Sequence, residues 1–128
     1  MSAFKVLIAD DEPYISRVLR MVLQQAGYEV TCVNNGMEAL DAYAKHRPDV
    51  VVTDVRMPQM DGKKLVQSIR DMDIDKNNIP IIVMTSTLES ENRDWVGSVE
   101  NVTFMGKPVS PRDLVRVVGN HLASNSLA

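Results

Sequence analysis

The chain has 128 residues, which at about 150 residues per domain corresponds to one domain, long enough to bury a hydrophobic core. Apolar residues make up 45% and charged residues 24%, which excludes a disordered acidic tail or a fibrous repeat. The net charge of −3 argues against nucleic-acid binding. A lone cysteine, Cys32, no cationic leader and no bilayer-spanning apolar run predict a cytoplasmic protein that does not enter a membrane.

Strand and helix patterns alternate along the whole chain. Short apolar runs typical of strands are followed by segments whose apolar residues recur at helical spacing. Because parallel strands are joined by helical crossovers, this order predicts a doubly wound α/β fold, in which helices cover both faces of a parallel sheet. The predicted elements are strand 5–9, helix 13–26, strand 29–33, helix 37–45, strand 50–53, helix 63–72, strand 79–84, helix 89–96, strand 102–105 and a last helix from 111.

Particular residues set the helix ends and the faces that pack on the sheet. Gly27 ends the first helix, and the Asn-Asn-Gly turn over 34–36 caps the second. Ser110 caps the last helix, and residues from Ser124 onward are expected to fray. The positions expected to face inward in the four clearest helices are Ile15, Val18, Leu19, Val22, Leu23 and Ala26; Ala39, Leu40, Tyr43 and Ala44; Leu65, Val66 and Ile69; and Leu114, Val117, Val118, His121 and Leu122.

Five polar residues are expected to meet at the carboxyl edge of the sheet, where ligands bind in this architecture. Carboxylates about 4 Å apart repel one another by roughly 4 kcal/mol per pair at an effective dielectric near 20, so a cation is expected among them. Oxygen ligands without a nearby Cys or His favour Mg²⁺, for which Mn²⁺ is a substitute. The five residues are Asp10, Asp11, Asp54, Thr85 and Lys107.

This set of residues suits phosphoryl transfer. A divalent ion and Lys107 would neutralise phosphoryl oxygens, Thr85 would donate a hydrogen bond, and an aspartate would act as the nucleophile. The chain has no GxGxxG or Walker sequence, and the loop after the first strand is acidic. That loop is therefore expected to bind a metal rather than a phosphate alone.

Four segments resemble the receiver domain of two-component response regulators, the CheY-like family. They are Ile-Ala-Asp-Asp-Glu-Pro at 8–13, Val-Thr-Asp-Val-Arg-Met-Pro-Gln-Met-Asp-Gly at 52–62, Ile-Ile-Val-Met-Thr-Ser at 81–86 and Phe-Met-Gly-Lys-Pro at 104–108. The resemblance implies a five-stranded parallel sheet of order 2-1-3-4-5 flanked by five helices. It also implies a receiver domain over residues 1–124, followed by a frayed tail or linker stub over 125–128.

The resemblance implies a role for each acidic residue. Asp54 would accept a phosphoryl group from a phosphohistidine of a sensor histidine kinase or a histidine phosphotransfer protein. Asp11, Asp54 and the backbone carbonyl of Arg56 would bind Mg²⁺ directly, and Asp10 would bind it through a water molecule. Such a protein is a phosphoacceptor signalling domain rather than an enzyme, although it assists its own phosphorylation and dephosphorylation.

The resemblance also implies a switch. Lys107 would pair first with Asp54 and then with the phosphoryl group, and the bond from Lys107 to Pro108 is expected to be cis. Thr85 would follow the phosphoryl group, and Phe104 would turn inward. The face formed by the fourth helix, the fifth strand and the fifth helix would then change its binding of a downstream effector protein. The domain itself is expected to be a monomer or a weak dimer.

Two other classes of function remain open. An aspartyl-phosphate phosphatase would use a similar sheet, but it needs an acid-base aspartate two residues after the nucleophile, where this chain has Arg56. The other class is a phosphorylation-independent scaffold, or a receiver segment of a longer regulator, for which the tail over 124–128 would be part of a linker.

Overall fold

The structure of the protein, a computed structural model, describes residues 3–72, 79–86 and 101–126. The helix predicted over 89–96 lies outside the described residues, so the label α4 is given to the last helix, Pro111–Ser126. Among the described residues, no helix has the length and apolar character needed to cross a membrane. The elements are β1 (Lys5–Ala9), α1 (Pro13–Gln25), β2 (Glu29–Val33), α2 (Gly36–His46), β3 (Val50–Asp54), α3 (Gly62–Met72), β4 (Ile81–Thr85), β5 (Val102–Gly106) and α4 (Pro111–Ser126).

The five strands form one parallel sheet of order β2-β1-β3-β4-β5, as predicted. Every residue of β3 and β4 is buried, because strands at the centre of such a sheet are covered on both faces. The edge strands β2 and β5 are mostly half-buried. The sheet therefore places the end of β3, with Asp54, at the centre of its carboxyl edge.

Two hydrophobic clusters lie on opposite faces of the sheet, as expected for a doubly wound fold. Helices α2 and α3 cover the face that includes Leu7, Val51 and Val83. Helices α1 and α4 cover the face that includes Ile8 and Val52. The predicted fold class is confirmed.

Two alanines predicted to face the core are exposed instead. Ala26 lies just beyond Gln25, the last residue of α1, and is open to solvent. Ala44 lies about 140° around α2 from the buried Ala39, outside the stripe that the helix presents to the sheet. Ala42 is buried in that stripe, where the pattern predicted Ala44.

Most element boundaries agree with the prediction to within one residue, and two differ by more. Strand β4 begins at Ile81 rather than Ile79, because Pro80 between them has no N–H to donate to a neighbouring strand. The Pro80 carbonyl still accepts a hydrogen bond from the N–H of Val51 at 3.1 Å. Helix α4 continues to Ser126, through two residues, Ser124 and Asn125, that the sequence predicts to fray.

The turn before α2 carries a variant of the capping box, in which the returning bond is made by the N–H of the residue before the cap. The Asn35 side chain accepts a hydrogen bond from the N–H of Glu38 at 2.8 Å, and the Glu38 carboxylate accepts one from the N–H of Asn34 at 3.0 Å. Gly36, the first residue of the helix, packs directly on the backbone of Met60, so that a side chain at this position would overlap the Met60 carbonyl. The start of α2 is therefore fixed against the loop that follows β3.

Candidate functional site

The carboxyl edge of the sheet carries a cluster of four carboxylates. Each of the four residues offers an oxygen, and these oxygens all lie within 4.8 Å of one another. Three of the residues were predicted from the sequence, and the fourth was missed, although it directly follows Asp11 in the same loop. The four residues are Asp10, Asp11, Glu12 and Asp54.

Asp10 is the most deeply buried of the four, with none of its surface exposed. Its Oδ1 accepts a hydrogen bond from the N–H of Glu12 at 2.9 Å, and its carbonyl accepts one from the Ser16 hydroxyl at 3.3 Å. Its Oδ2 is buried and has no hydrogen-bond partner among the described residues. Burial raises the pKa of Asp10, although the hydrogen bond from Glu12 and the charge of Lys107 act in the opposite direction.

The environment of the buried Asp10 Oδ2 atom shows whether the four carboxylates suit a divalent cation. A buried carboxylate oxygen without a donor is costly unless it binds a cation or a water molecule. Asp11 and Glu12 are exposed, so they leave the cluster open to solvent on one side. An all-oxygen set with one open side is the kind of site that Mg²⁺ prefers, and the residues fit the ion.

Lys107 is the cation of the site, and it extends from the loop after β5. Its Nζ donates a hydrogen bond to Asp54 Oδ2 at 2.6 Å and lies 3.6 Å from Glu12 Oε1. Burial alone would lower the pKa of Lys107, but the hydrogen bond and the charge of Asp54 outweigh burial and raise it. The N–H of Lys107 also donates to the Thr85 carbonyl at 2.7 Å, and the bond to Pro108 is cis, as expected.

Thr85 and Phe104, the two expected switch residues, lie on adjacent strands. Thr85 ends β4 and is buried, and it pairs in register with Gly106 of β5. Phe104 pairs with Val83 and is half-buried against the cluster beneath α2 and α3. Thr85 lies two residues after Val83 on β4, so their side chains share a face of the sheet. Phe104 is the partner of Val83 on the neighbouring strand, so Thr85 and Phe104 point to the same side of the sheet.

The loop after β3 returns closely on the strand end. Gly62 begins α3, and its N–H donates to the Val55 carbonyl at 2.7 Å. A Cβ at Gly62 would overlap the carbonyl of Asp54. Arg56 is exposed in this loop, two residues after Asp54. Glycine at position 62 is thus required by a close backbone approach that holds the end of β3.

The sheet order, the carboxylate cluster and its lysine define a CheY-like receiver of two-component signalling. Residues 6–119 match the family described as the response regulator receiver domain. The chain belongs to this family.

Several curated relatives support this assignment. The chain is 37% identical over 110 residues to a probable transcriptional regulator, ycf27, of Porphyra purpurea, covering 86% of this chain and 44% of that protein. It is 39% identical over 87 residues to the regulatory protein AtoC of Escherichia coli, covering 68% of this chain and 18% of that protein. The chain thus spans less than half the length of these two relatives.

Solved structures support the fold over almost the whole chain. The chemotaxis protein CheY4 of Vibrio cholerae superposes with a TM-score of 0.85 at 32% identity, covering 94% of this chain and 99% of that one. The receiver domain of the Francisella response regulator 1452 superposes with a TM-score of 0.81 at 30% identity, covering 91% of this chain and 93% of that one.

Proposed function

We propose that this receiver domain is a phosphorylation-activated signalling switch in which Asp54 accepts a phosphoryl group from a phosphohistidine. The donor would be a sensor histidine kinase or a histidine phosphotransfer protein. The observation that carries the proposal is the position of Asp54, whose Oδ2 lies 2.6 Å from Lys107 Nζ within the carboxylate cluster. A buried aspartate held next to a lysine at an open acidic edge is equipped to be a nucleophile towards phosphorus.

The transfer exchanges one bond to phosphorus for another. An oxygen of the Asp54 carboxylate forms a bond to the phosphorus atom as the bond from phosphorus to the donor's imidazole nitrogen breaks. The electron pair of that bond goes to the nitrogen, and the ring, protonated on its other nitrogen, leaves as neutral histidine. Lys107 stabilises the charge on the phosphoryl oxygens, and the Thr85 hydroxyl donates a hydrogen bond to one of them.

The proposed Mg²⁺ site consists of Asp11, Asp54 and the backbone carbonyl of Arg56, with Asp10 binding through a water molecule. Mn²⁺ would substitute for Mg²⁺. When bound, the ion neutralises the negative charge of the phosphoryl group and of the carboxylates around it. The buried Asp10 Oδ2 atom supports the presence of a cation here.

The proposed output is a rearrangement of side chains on β4 and β5 that alters the binding of an effector protein. Thr85 would move towards the phosphoryl group, and Phe104 would turn into the space on the same side of the sheet. The face formed by the predicted helix over 89–96, β5 and α4 would then change its affinity for an effector protein. We assign the receiver domain to residues 1–124 and place it in the cytoplasm as a monomer or a weak dimer.

The proposal is tested by the intact mass of the protein after incubation with Mg²⁺ and acetyl phosphate. We expect one phosphoryl adduct that hydroxylamine removes, that a chelator prevents, and that Asp54→Asn abolishes. Asp41→Asn, which changes an exposed aspartate of α2, is the matched control and should be phosphorylated like the wild type. A stable adduct on the Asp54→Asn protein would contradict the proposal.

Two further variants separate the roles of the other residues. Asp11→Asn should weaken Mg²⁺ binding. Lys107→Ala should reduce effector binding more than it reduces phosphorylation. The proposed ion pair between Lys107 and the phosphoryl group links the phosphorylated Asp54 to the loop after β5, and the variant lacks it. Multiple turnover of a phosphomonoester by the wild type would instead favour an aspartyl-phosphate phosphatase.

A further inference from the structure

Glu12 belongs to the carboxylate cluster, although the family resemblance gives it no role. We propose that Glu12 is a specificity-determining residue of the phosphorylation site: its carboxylate strengthens the binding of divalent cations and slows phosphoryl donors in proportion to their negative charge. The inference rests on the proposed phosphorylation of Asp54. It goes beyond that proposal because it predicts which small donors the site prefers.

Among the described residues, the contacts of Lys107 leave the charge of Glu12 largely uncompensated. Lys107 Nζ lies 2.6 Å from Asp54 Oδ2 but 3.6 Å from Glu12 Oε1, so the ammonium group is committed first to Asp54. The side chain of Asp54 is 9% exposed, whereas that of Glu12 is 60% exposed. The Glu12 carboxylate therefore stands on the solvent side of the site, where an incoming ligand approaches.

The formal charges give the sign of the effect. In the described part of the chain, four carboxylates and one ammonium group leave three negative charges in the cluster, and Glu12 contributes one of the carboxylates. The buried Asp10 Oδ2, which has no hydrogen-bond partner among the described residues, independently indicates that the cluster is arranged for a cation. An extra negative charge at the entrance attracts that cation and repels an anionic donor.

Two small donors that differ by one charge distinguish this effect from a general change in reactivity. Acetyl phosphate is a dianion near neutral pH, and phosphoramidate is a monoanion. With acetyl phosphate, an Asp54 oxygen bonds to phosphorus as the bond from phosphorus to the acetyl oxygen breaks, and acetate leaves with the electron pair. With phosphoramidate, the bond from phosphorus to nitrogen breaks, and ammonia leaves after the nitrogen has received a proton.

The experiment compares Glu12→Gln with Glu29→Gln. The second variant removes the same charge at the first residue of β2, at the amino ends of the strands and away from the site. The affinity for Mn²⁺ alone is read from the electron paramagnetic resonance signal of the free ion. Initial phosphorylation rates are measured by intact mass with each donor at saturating Mg²⁺. Both substitutions keep the side-chain length, and equal thermal unfolding curves establish that both variants are folded.

For Glu12→Gln we expect Mn²⁺ affinity to fall about five-fold and phosphorylation by acetyl phosphate to become about four-fold faster. The gain with phosphoramidate should be about two-fold, since its charge is smaller. Glu29→Gln should match the wild type in each assay. An equal gain with the two donors, a slower reaction, or an unchanged Mn²⁺ affinity would overturn the role of Glu12. A wild type that no donor phosphorylates would overturn the proposed function instead, and the Mn²⁺ measurement would still report on Glu12.

Discussion

Strands β3 and β5 both lead to the site, but they differ in how closely they are enclosed. All five residues of β3 are buried, whereas β5 is half-buried along most of its length. Strand β3 lies between β1 and β4, and within the described part of the chain β5 has β4 alone beside it. A close-packed interior resists side-chain rearrangement, so Asp54 is held at a fixed position while Phe104 on β5 has more freedom to respond. The fold thus separates Asp54, the proposed phosphoacceptor, from Phe104, the residue on β5 that is proposed to respond to its state.

The largest expected effect on stability is at the end of β3. Gly62→Ala places a Cβ against the Asp54 carbonyl, so either the strand end or α3 must shift. We expect a loss of about 2–3 kcal/mol in the free energy of unfolding, measured by urea denaturation. Gly119→Ala in α4 is the control, because its Cβ would meet only the Tyr28 hydroxyl, at an ordinary distance of 3.5 Å. The control should be unchanged or more stable by up to about 1 kcal/mol. Equal stability of the two variants would refute a closely packed end of β3.

A pair of valines compares the centre and the edge of the sheet directly. Val83 on β4 is fully buried, and Val102 on β5 is half-buried against the same cluster. We expect Val83→Ala to lower the free energy of unfolding by about 2 kcal/mol and Val102→Ala to lower it by about 1 kcal/mol. Urea denaturation of both variants checks the difference. A larger loss for Val102→Ala would mean that the edge strand is enclosed as closely as the centre.

The buried charge of Asp10 is expected to cost stability when no metal is bound. With a chelator present at neutral pH, Asp10→Asn should raise the free energy of unfolding by about 1 kcal/mol, because a neutral amide replaces a buried carboxylate. Burial raises the pKa of Asp10 in the folded protein, so the folded state holds its proton to a higher pH than the unfolded state does. The cost of the Asp10 charge therefore falls as the pH drops through that raised pKa, and the difference in free energy of unfolding between the wild type and Asp10→Asn becomes smaller. A gap that widens in acid would contradict this account.

The smallest expected effect is at the contact between β5 and α4. The Thr103 hydroxyl lies 3.0 Å from Nε2 of His121, and Thr103→Val removes this hydrogen bond. We expect a loss of about 0.5–1 kcal/mol in thermal or urea unfolding. Thr31→Val on β2, also half-buried on an edge strand, is the matched control and should change stability less. If the two variants lost the same amount, the bond to His121 would add nothing to the edge strand.

The sequence predicted the order of the elements and most of the site because those features depend on local patterns. The continuous apolar run ending in Asp54 required a central strand, and a parallel sheet then placed Asp10 and Lys107 on the same edge. The side of α2 that packs on the sheet was harder to predict from the sequence. Ala42 and Ala44 differ in their angle around the helix but not in hydrophobicity, so the pattern does not tell which of them is buried. The contact of Gly36 with Met60 depends on packing between distant segments, which no local pattern encodes.

Glu12 is a residue of the site that the sequence did not predict, because its position also depends on tertiary structure. Glu12 resembles an ordinary acidic residue at the start of a helix, where such residues are common. Its membership in the carboxylate cluster depends on how the loop after β1 turns, with the N–H of Glu12 bonded to Asp10 Oδ1. Side-chain positions of this kind follow from tertiary structure. Glu12 lies inside the segment 8–13 that carries the family resemblance, but the resemblance assigns it no role.

The most direct test of the central claim identifies the residue that carries the phosphoryl group. Phosphorylated protein is reduced with borohydride, which converts an aspartyl phosphate to homoserine, and the modified peptide is sequenced by mass spectrometry. We expect homoserine at position 54 and at no other position, and no modification when the donor is omitted. Homoserine at position 10 or 11, with Asp54 unmodified, would contradict the central claim.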